Sequence, residues 1–269
     1  MPKAQVNGIN LYYQVHGQGE PLVMIQGFGG GHEGWFFQTR AFRERFRVVV
    51  FDNRGIGKSD RSPGPYTIDT MAGDTIGLMD SLGIEKAHIL GISLGGIVAQ
   101  EVAISHPGRV MKLVLACTHT GEGDIGDVHP DMLKAIGVAE GSMEPDLSSV
   151  DMMETMGTIV SLAFSRRLYR MILVPLARYQ MRRVGPGAYL EQLEAVVGHT
   201  TAERLPQVQS PTLVIAGSED RIVSPRSSED IARRIPNAKL VMVEGGSHAF
   251  NIEMRGRFNR EVLDFLRDG

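Results

Sequence analysis

With 269 residues, 42% of them apolar and 22% charged, the chain falls among globular proteins long enough to bury a sizeable core. A formal net charge of -3 gives no electrostatic reason to expect nucleic acid, and the lone Cys117 excludes an internal disulfide and any multi-cysteine metal site. No apolar run approaches the roughly 20 residues that span a bilayer, and Met1 to Asn7 lacks the apolar centre of a signal peptide, so no membrane span and a cytoplasmic location are expected.

The chain opens with a predicted hairpin from Ala4 to Val15, turned at Asn7-Gly8, a pair that tolerates the positive φ of a two-residue turn. Leu22-Val23-Met24-Ile25 then reads as a buried strand running into Gln26-Gly27-Phe28-Gly29-Gly30-Gly31, glycine-rich enough to turn a peptide N–H inward. Neither a dinucleotide fingerprint nor a P-loop lysine accompanies these glycines, which argues against a nucleotide cradle. Trp35 and Phe36-Phe37 follow; they either wall an acyl pocket or anchor the first helix, and the sequence leaves both readings open.

Ala87-His88-Ile89-Leu90 is a further apolar run, and it leads through Gly91-Ile92-Ser93-Leu94-Gly95-Gly96 into the helical stretch Ile97 to Ala103. A serine between strand and helix, with glycine two residues before and two after, is the sequence form of a nucleophile elbow. The turn holds the serine backbone under strain, and side chains at the flanking positions would strike the neighbouring strand and helix. Ser93 is therefore the predicted nucleophile. The N–H of Leu94, next in the chain, and that of Phe28 are the predicted donors for a tetrahedral oxyanion.

Lys112 to Ala116 reads as another strand, with Cys117 a buried small residue at its end and His119 placed to line a pocket. From about His119 to Leu205 the alternation of strand and helix stops. This predicts a core of residues 1–118 and 206–269 and a mainly helical cap of residues 119–205 over the sheet edge where ligands of open α/β sheets bind. The cap holds seven of the 14 methionines, and Met152 and Met156 are candidates for a flexible apolar pocket alongside Gln26, Trp35 and His119; packing of the cap explains them equally well. Its charge is segregated: nine acids lie between Glu122 and Glu154, whereas Arg166, Arg167, Arg170, Arg178, Arg182 and Arg183 fall in an acid-free stretch from Thr155 to Leu190. Such a basic run fits a membrane surface, an anionic substrate, attraction between the two cap segments, or a homodimer formed through the cap.

Thr212 to Gly217 resumes the strands, followed by Ser218-Glu219-Asp220-Arg221, and Lys239 to Val243 ends at Glu244-Gly245-Gly246-Ser247-His248. A serine hydroxyl attacks a carbonyl poorly unless a base takes its proton, and His248 is the one of the eight histidines placed on a loop at the same strand edge as Ser93. His106 reads as a helix-terminus residue, and His16, His32, His88, His129 and His199 have no comparable placement. Asp220 is the predicted carboxylate orienting the imidazole, preferred over Glu219, with Glu122 or Asp124 a weaker alternative.

Taken in order, Leu22 to Gly31, Phe51 to Asp60, the elbow, His106 to Val110, Gly217 to Pro225 and Gly245 to Phe250 resemble the α/β-hydrolase superfamily. The resemblance implies an α/β fold with a mostly parallel central sheet of about eight strands flanked by helices, and a structural role for Asp52 and Arg54 in buttressing the oxyanion loop. Relatives commonly carry His-Gly where this chain has Gln26-Gly27, which implies altered substrate preference, Gln26 still bracing the loop. Haloalkane dehalogenases and epoxide hydrolases of this fold use aspartate at the elbow, so Ser93 argues against both. The expectation is a cofactor-free, metal-free serine hydrolase cleaving a small carboxylic ester through an acyl-enzyme. Lactone hydrolysis, especially of an enol-lactone, and C–C bond cleavage are rivals using the same groups, and a ligand receptor of this fold is a rival from another class.

Overall fold

The computed structural model describes residues 2–62, 64–121, 129–138 and 145–267; Glu122, Asp124 and Met143 lie outside these. The chain begins with β1 (Lys3–Val6) and β2 (Ile9–His16), antiparallel and joined at Asn7 and Gly8, whose φ values of 45° and 80° are those the short turn demands. There follow β3 (Glu20–Ile25), α1 (Phe36–Phe42), β4 (Phe46–Phe51), α2 (Ile68–Ser81), β5 (Ala87–Ile92), α3 (Leu94–Ser105) and β6 (Val110–Ala116). The helical insert holds α4 (Pro130–Ala135), α5 (Met152–Ala163), α6 (Arg167–Val184) and α7 (Gly187–Val197), and the chain closes with β7 (Thr212–Gly217), α8 (Pro225–Arg234), β8 (Ala238–Val243), α9 (Phe250–Glu253) and α10 (Arg255–Arg267).

The eight strands form one sheet in the order β1-β2-β4-β3-β5-β6-β7-β8, with β1, β2 and β4 paired antiparallel and every pair from β4 to β8 parallel. Parallel strands covered on both faces are apolar throughout, and successive side chains serve opposite layers. Thus Val23, Ile25, Ile89, Leu113, Leu115 and Val214 pack toward α2, α3 and α8. On the other face Leu22, Met24, Leu90, Val114, Leu213 and Ile215 pack against Trp35, Phe42, Phe250, Phe258 and Val262. The parallel strands share a direction, so the loops after β3, β5, β6, β7 and β8 emerge on a single edge.

The insert leaves and re-enters the core at one point. Thr201 N–H donates to Thr120 O at 2.8 Å. The buried Gln100 on α3 clamps both stems, donating from Nε2 to His119 O at 3.0 Å and accepting from Thr201 Oγ1 at 2.5 Å. Nearby, Arg204 grips Glu101 with two bonds of 2.9 and 2.7 Å. A cavity of about 520 Å³ lies within the insert, where Asp131, Asp151 and Glu154 share its lining with Lys134 and Arg178, so at least one cap arginine faces the acidic segment.

Candidate active site

Ser93 sits between β5 and α3 with φ 55° and ψ -125°, a left-handed conformation uncommon outside glycine, and it exposes the side chain at the sheet edge. The flanking glycines answer steric demands. A Cβ on Gly91 would strike the Gly95 backbone, one on Gly95 the carbonyls of Ile25 and Gln26, and one on Gly96 the side chain of Thr118. The serine backbone is tied to the turn after β6: its N–H donates to Ala116 O at 2.9 Å, and its carbonyl accepts from Thr118 Oγ1 at 2.8 Å.

On the loop after β7, Asp220 is buried and Glu219 exposed. Asp220 Oδ1 accepts from the N–H groups of Ile222 and Val223 at 2.8 and 2.9 Å, while Oδ2 lies 2.8 Å from His248 Nδ1 on the loop after β8. A carboxylate on Nδ1 fixes the tautomer with Nε2 as the basic nitrogen and favours the imidazolium once formed. Cys117 completes this cluster. Its Sγ, an Asp220 oxygen and a His248 ring nitrogen all lie within 4.8 Å of one another, and Cys117 takes a φ of 45° to bring the buried thiol there. Burial, with the Asp220 charge behind it, pushes that thiol well above its ordinary range. No hydrogen bond joins Ser93 Oγ to His248 among the described residues.

In the loop after β3, Gly27 N–H is taken by Gln26 Oε1 at 2.9 Å, Gly29 N–H by Gln192 Oε1 at 3.0 Å and Gly30 N–H by Gly27 O at 3.0 Å. The N–H of Phe28 has no partner among the described residues, nor has that of Leu94 at the first position of α3, where a helix leaves its amides unpaired. Gly27 packs on Ser93, with the serine Cβ 3.1 Å from where a Gly27 Cβ would stand. The predicted donors therefore flank the predicted nucleophile.

The buttress of this loop differs in one member from expectation. Asp52 Oδ1 accepts from the N–H of His32 and faces its Nδ1, both at 2.7 Å, and Oδ2 accepts from Lys58 N–H at 2.9 Å. Asn53 Nδ2 donates to Gln26 O at 3.1 Å. Arg54 turns away to a buried two-bond pair with Asp74 of α2, at 2.6 and 2.7 Å, so it holds α2 and leaves the loop to Asp52, Asn53 and His32.

The predicted pocket residues divide. Met156 lies against Gly29 together with Tyr189, and Phe28 meets the Tyr189 ring edge-on at 6.1 Å, so Met156 sits beside the oxyanion loop. Met152 is buried in the same apolar cluster as Met181 and Leu193, inside the insert. Trp35 is fully buried in the sheet-facing core with Phe42, so it anchors α1 and lines no pocket, while Phe36 is exposed. Gln26 folds beneath its own loop, where a Cβ on Gly30 or Gly34 would meet its side chain, so it braces the loop as predicted and is not free to face a substrate. His119 turns its Nδ1 to Gly121 N–H at 3.0 Å, ordering the first stem of the insert.

Two residues had no signature in the sequence. Gln192 of α7, fully buried, ties the insert to Gly29. Glu253 of α9 accepts at 2.6 Å from Ser247 Oγ, next to His248, and also from Ser165 N–H at 3.0 Å and Arg166 N–H at 2.8 Å, capping α6, whose own first residues supply no side-chain cap. Burial acts to raise this carboxyl, but the Ser247 hydroxyl with the Arg166 and Ser165 amides outweighs it and leaves Glu253 below the usual carboxylate range.

A mostly parallel sheet with an elbow serine at its central strand and helices on both faces defines an α/β hydrolase fold. The model of the Alpha/beta hydrolase family matches residues 22–261, and the chain belongs to that family. It is 29% identical over 269 residues to a protein of Azorhizobium caulinodans named "Putative carbamate hydrolase RutD", with 98% of each chain covered. It superposes with a TM-score of 0.86 on the enol-lactonase of Burkholderia xenovorans LB400, at 27% identity over 99% of this chain and 100% of the other. A meta-cleavage product hydrolase from Pseudomonas fluorescens IP01 gives 0.81 at 26% identity, covering 99% and 97%. Hydrolysis is the activity class these relationships establish.

Proposed function

We propose that the chain is a serine hydrolase that cleaves carboxylic esters through an acyl-enzyme, with residues 119–205 as a cap over the site. The observation that carries this is the buried 2.8 Å pair of His248 Nδ1 and Asp220 Oδ2, on the same sheet edge as a left-handed Ser93 flanked by two N–H groups that have no partner among the described residues. Ser93 Oγ attacks the ester carbonyl as His248 Nε2 takes its proton, and Asp220 stabilises the imidazolium. The N–H groups of Phe28 and Leu94 hold the oxyanion as it develops. The imidazolium then protonates the departing alkoxide, leaving an acyl ester on Ser93. Water, deprotonated by the same histidine, attacks that ester and releases the acid.

Lactone hydrolysis is the second reading, supported by the similarity to the enol-lactonase. The steps are the same, except that the alcohol stays tethered to the acyl group. A p-nitrophenyl ester series from acetate to decanoate, run beside lactone and carbamate panels and with Ser93→Ala, separates the readings. Ester turnover that falls by at least roughly 10³-fold in Ser93→Ala supports the esterase. Faster Ser93-dependent lactone or carbamate opening moves the assignment to that substrate, and undiminished turnover without Ser93 overturns the mechanism.

A further inference from the structure

The solvent side of α6 is apolar. Leu168, Met171, Ile172, Leu176 and Tyr179 are 65%, 63%, 58%, 46% and 58% exposed, whereas Met181 on the opposite side is fully buried. At about 100° per residue, Leu168, Ile172, Pro175 and Tyr179 fall within about 60° of arc, and the stripe runs about 17 Å along the helix. Arg167 and Arg182 lie along one flank, both exposed, with Arg166 just before the helix, while Arg178 reaches back toward Gly157 and the cavity within the insert. The guanidinium groups of Arg167 and Arg182 have no hydrogen bond or ion pair among the described residues, and no acid occurs in the sequence from Thr155 to Leu190.

This face needs a partner that is apolar inside and anionic outside. Another copy of the chain fits poorly. In a twofold contact with the two helices antiparallel the arginine flank would meet arginines, and with them parallel it would meet the opposite flank, which carries no acid. The acidic segment of the insert offers the opposite charge, but it contributes no large exposed apolar side chain among the described residues. We infer that α6 docks the protein on the surface of an anionic lipid bilayer, with Leu168, Met171, Ile172 and Leu176 at the acyl boundary and Arg167 and Arg182 at the headgroups. The helix lies in the interface and does not cross it: no described helix is long and apolar enough to span a membrane. Because α6 belongs to the insert held against the oxyanion loop, docking faces the insert side of the molecule toward the bilayer, a source of apolar esters.

Vesicle flotation of the intact protein tests this, with phosphatidylcholine alone and phosphatidylcholine mixed with phosphatidylglycerol. The protein should float with the anionic vesicles only, and less as salt rises. The doubles Leu168→Ser/Ile172→Ser and Arg167→Gln/Arg182→Gln should each lower partitioning by about tenfold or more. All four positions are on the surface, so circular dichroism and turnover of a water-soluble ester should stay at the wild-type level. Ser93→Ala should bind vesicles like the wild type, which keeps this test independent of the proposed chemistry. Absence of anionic-vesicle binding by the wild type overturns the inference, as does equal binding by both doubles. Sedimentation showing a dimer that Leu168→Ser/Ile172→Ser dissociates, without vesicle binding, would assign the face to a second copy instead.

Discussion

The side-chain oxygen of Gln192 lies 3.0 Å from the amide nitrogen of Gly29, so a buried residue of the insert holds the loop that carries the Phe28 N–H. Gln192→Leu removes this acceptor and leaves the half-buried Gly29 amide without one. On the proposed role of the Phe28 N–H as an oxyanion donor, the expected result is a fall in kcat of about tenfold with little change in KM. Steady-state kinetics on a short-chain ester check it, and a rise in KM alone would assign Gln192 to substrate binding.

Asp52 supports the same loop from the sheet side through His32. Asp52→Ala leaves the His32 and Lys58 amides without their acceptor, and should lower stability by about 2–3 kcal/mol, measured by urea denaturation. Arg54→Met should destabilise as well, because it strands the buried Asp74 carboxylate, but should spare kcat per folded molecule.

Glu253 makes the docking of the insert sensitive to acid. Its carboxyl is held below the 4.5 of a free glutamate, so its stabilising effect is complete above that pH and is lost as pH falls through the lower folded value. Proteolysis at the junction of α5 and α6 should therefore accelerate on the acid side of 4.5 in the wild type. In Glu253→Gln the acceleration should be present at neutral pH and change little with acidification.

Trp35 separates a core role from a pocket role. Trp35→Ala should cost about 3–5 kcal/mol in stability while leaving the preference among acyl chain lengths unchanged in the molecules that remain folded. A shift in chain-length preference would return Trp35 to the pocket.

Cys117 should be inert in the native protein. Its thiol is buried and held protonated, so Ellman's reagent at mildly alkaline pH should label it only after denaturation. Rapid native labelling would mean that the space beside Asp220 opens readily.

The core of the fold was legible because each strand is an apolar run and each connection carries a local signal. Asn7-Gly8 turned as read, and the elbow glycines were placed by contacts that the backbone imposes. Ser93, Asp220 and His248 were locatable because a parallel sheet sends successive strand ends to one edge, so position in the chain implied position in space. Trp35 was ambiguous because a large aromatic after a loop reads alike whether it packs inward or faces a ligand; the register of α1 decided it. Arg54 was misplaced for a related reason, since a long side chain reaches partners that sequence distance does not show. Gln192 and Glu253 were invisible: the bonds by which they hold the insert, to Gly29 and to Ser165 and Arg166, each cross more than 80 residues of chain.

The pairing of Thr120 with Thr201, clamped by Gln100, has an evolutionary consequence. Because the two stems meet in hydrogen-bonding contact, everything between them is a closed excursion, and the entropy of closing it grows only slowly, by about 0.6 kcal/mol for each doubling in length. Segments of other lengths and surfaces can be exchanged at this junction without disturbing the register of β6 and β7. The scaffold thereby separates two kinds of constraint: a sheet edge whose turns are fixed by backbone contacts, and a closed excursion whose length those contacts leave free.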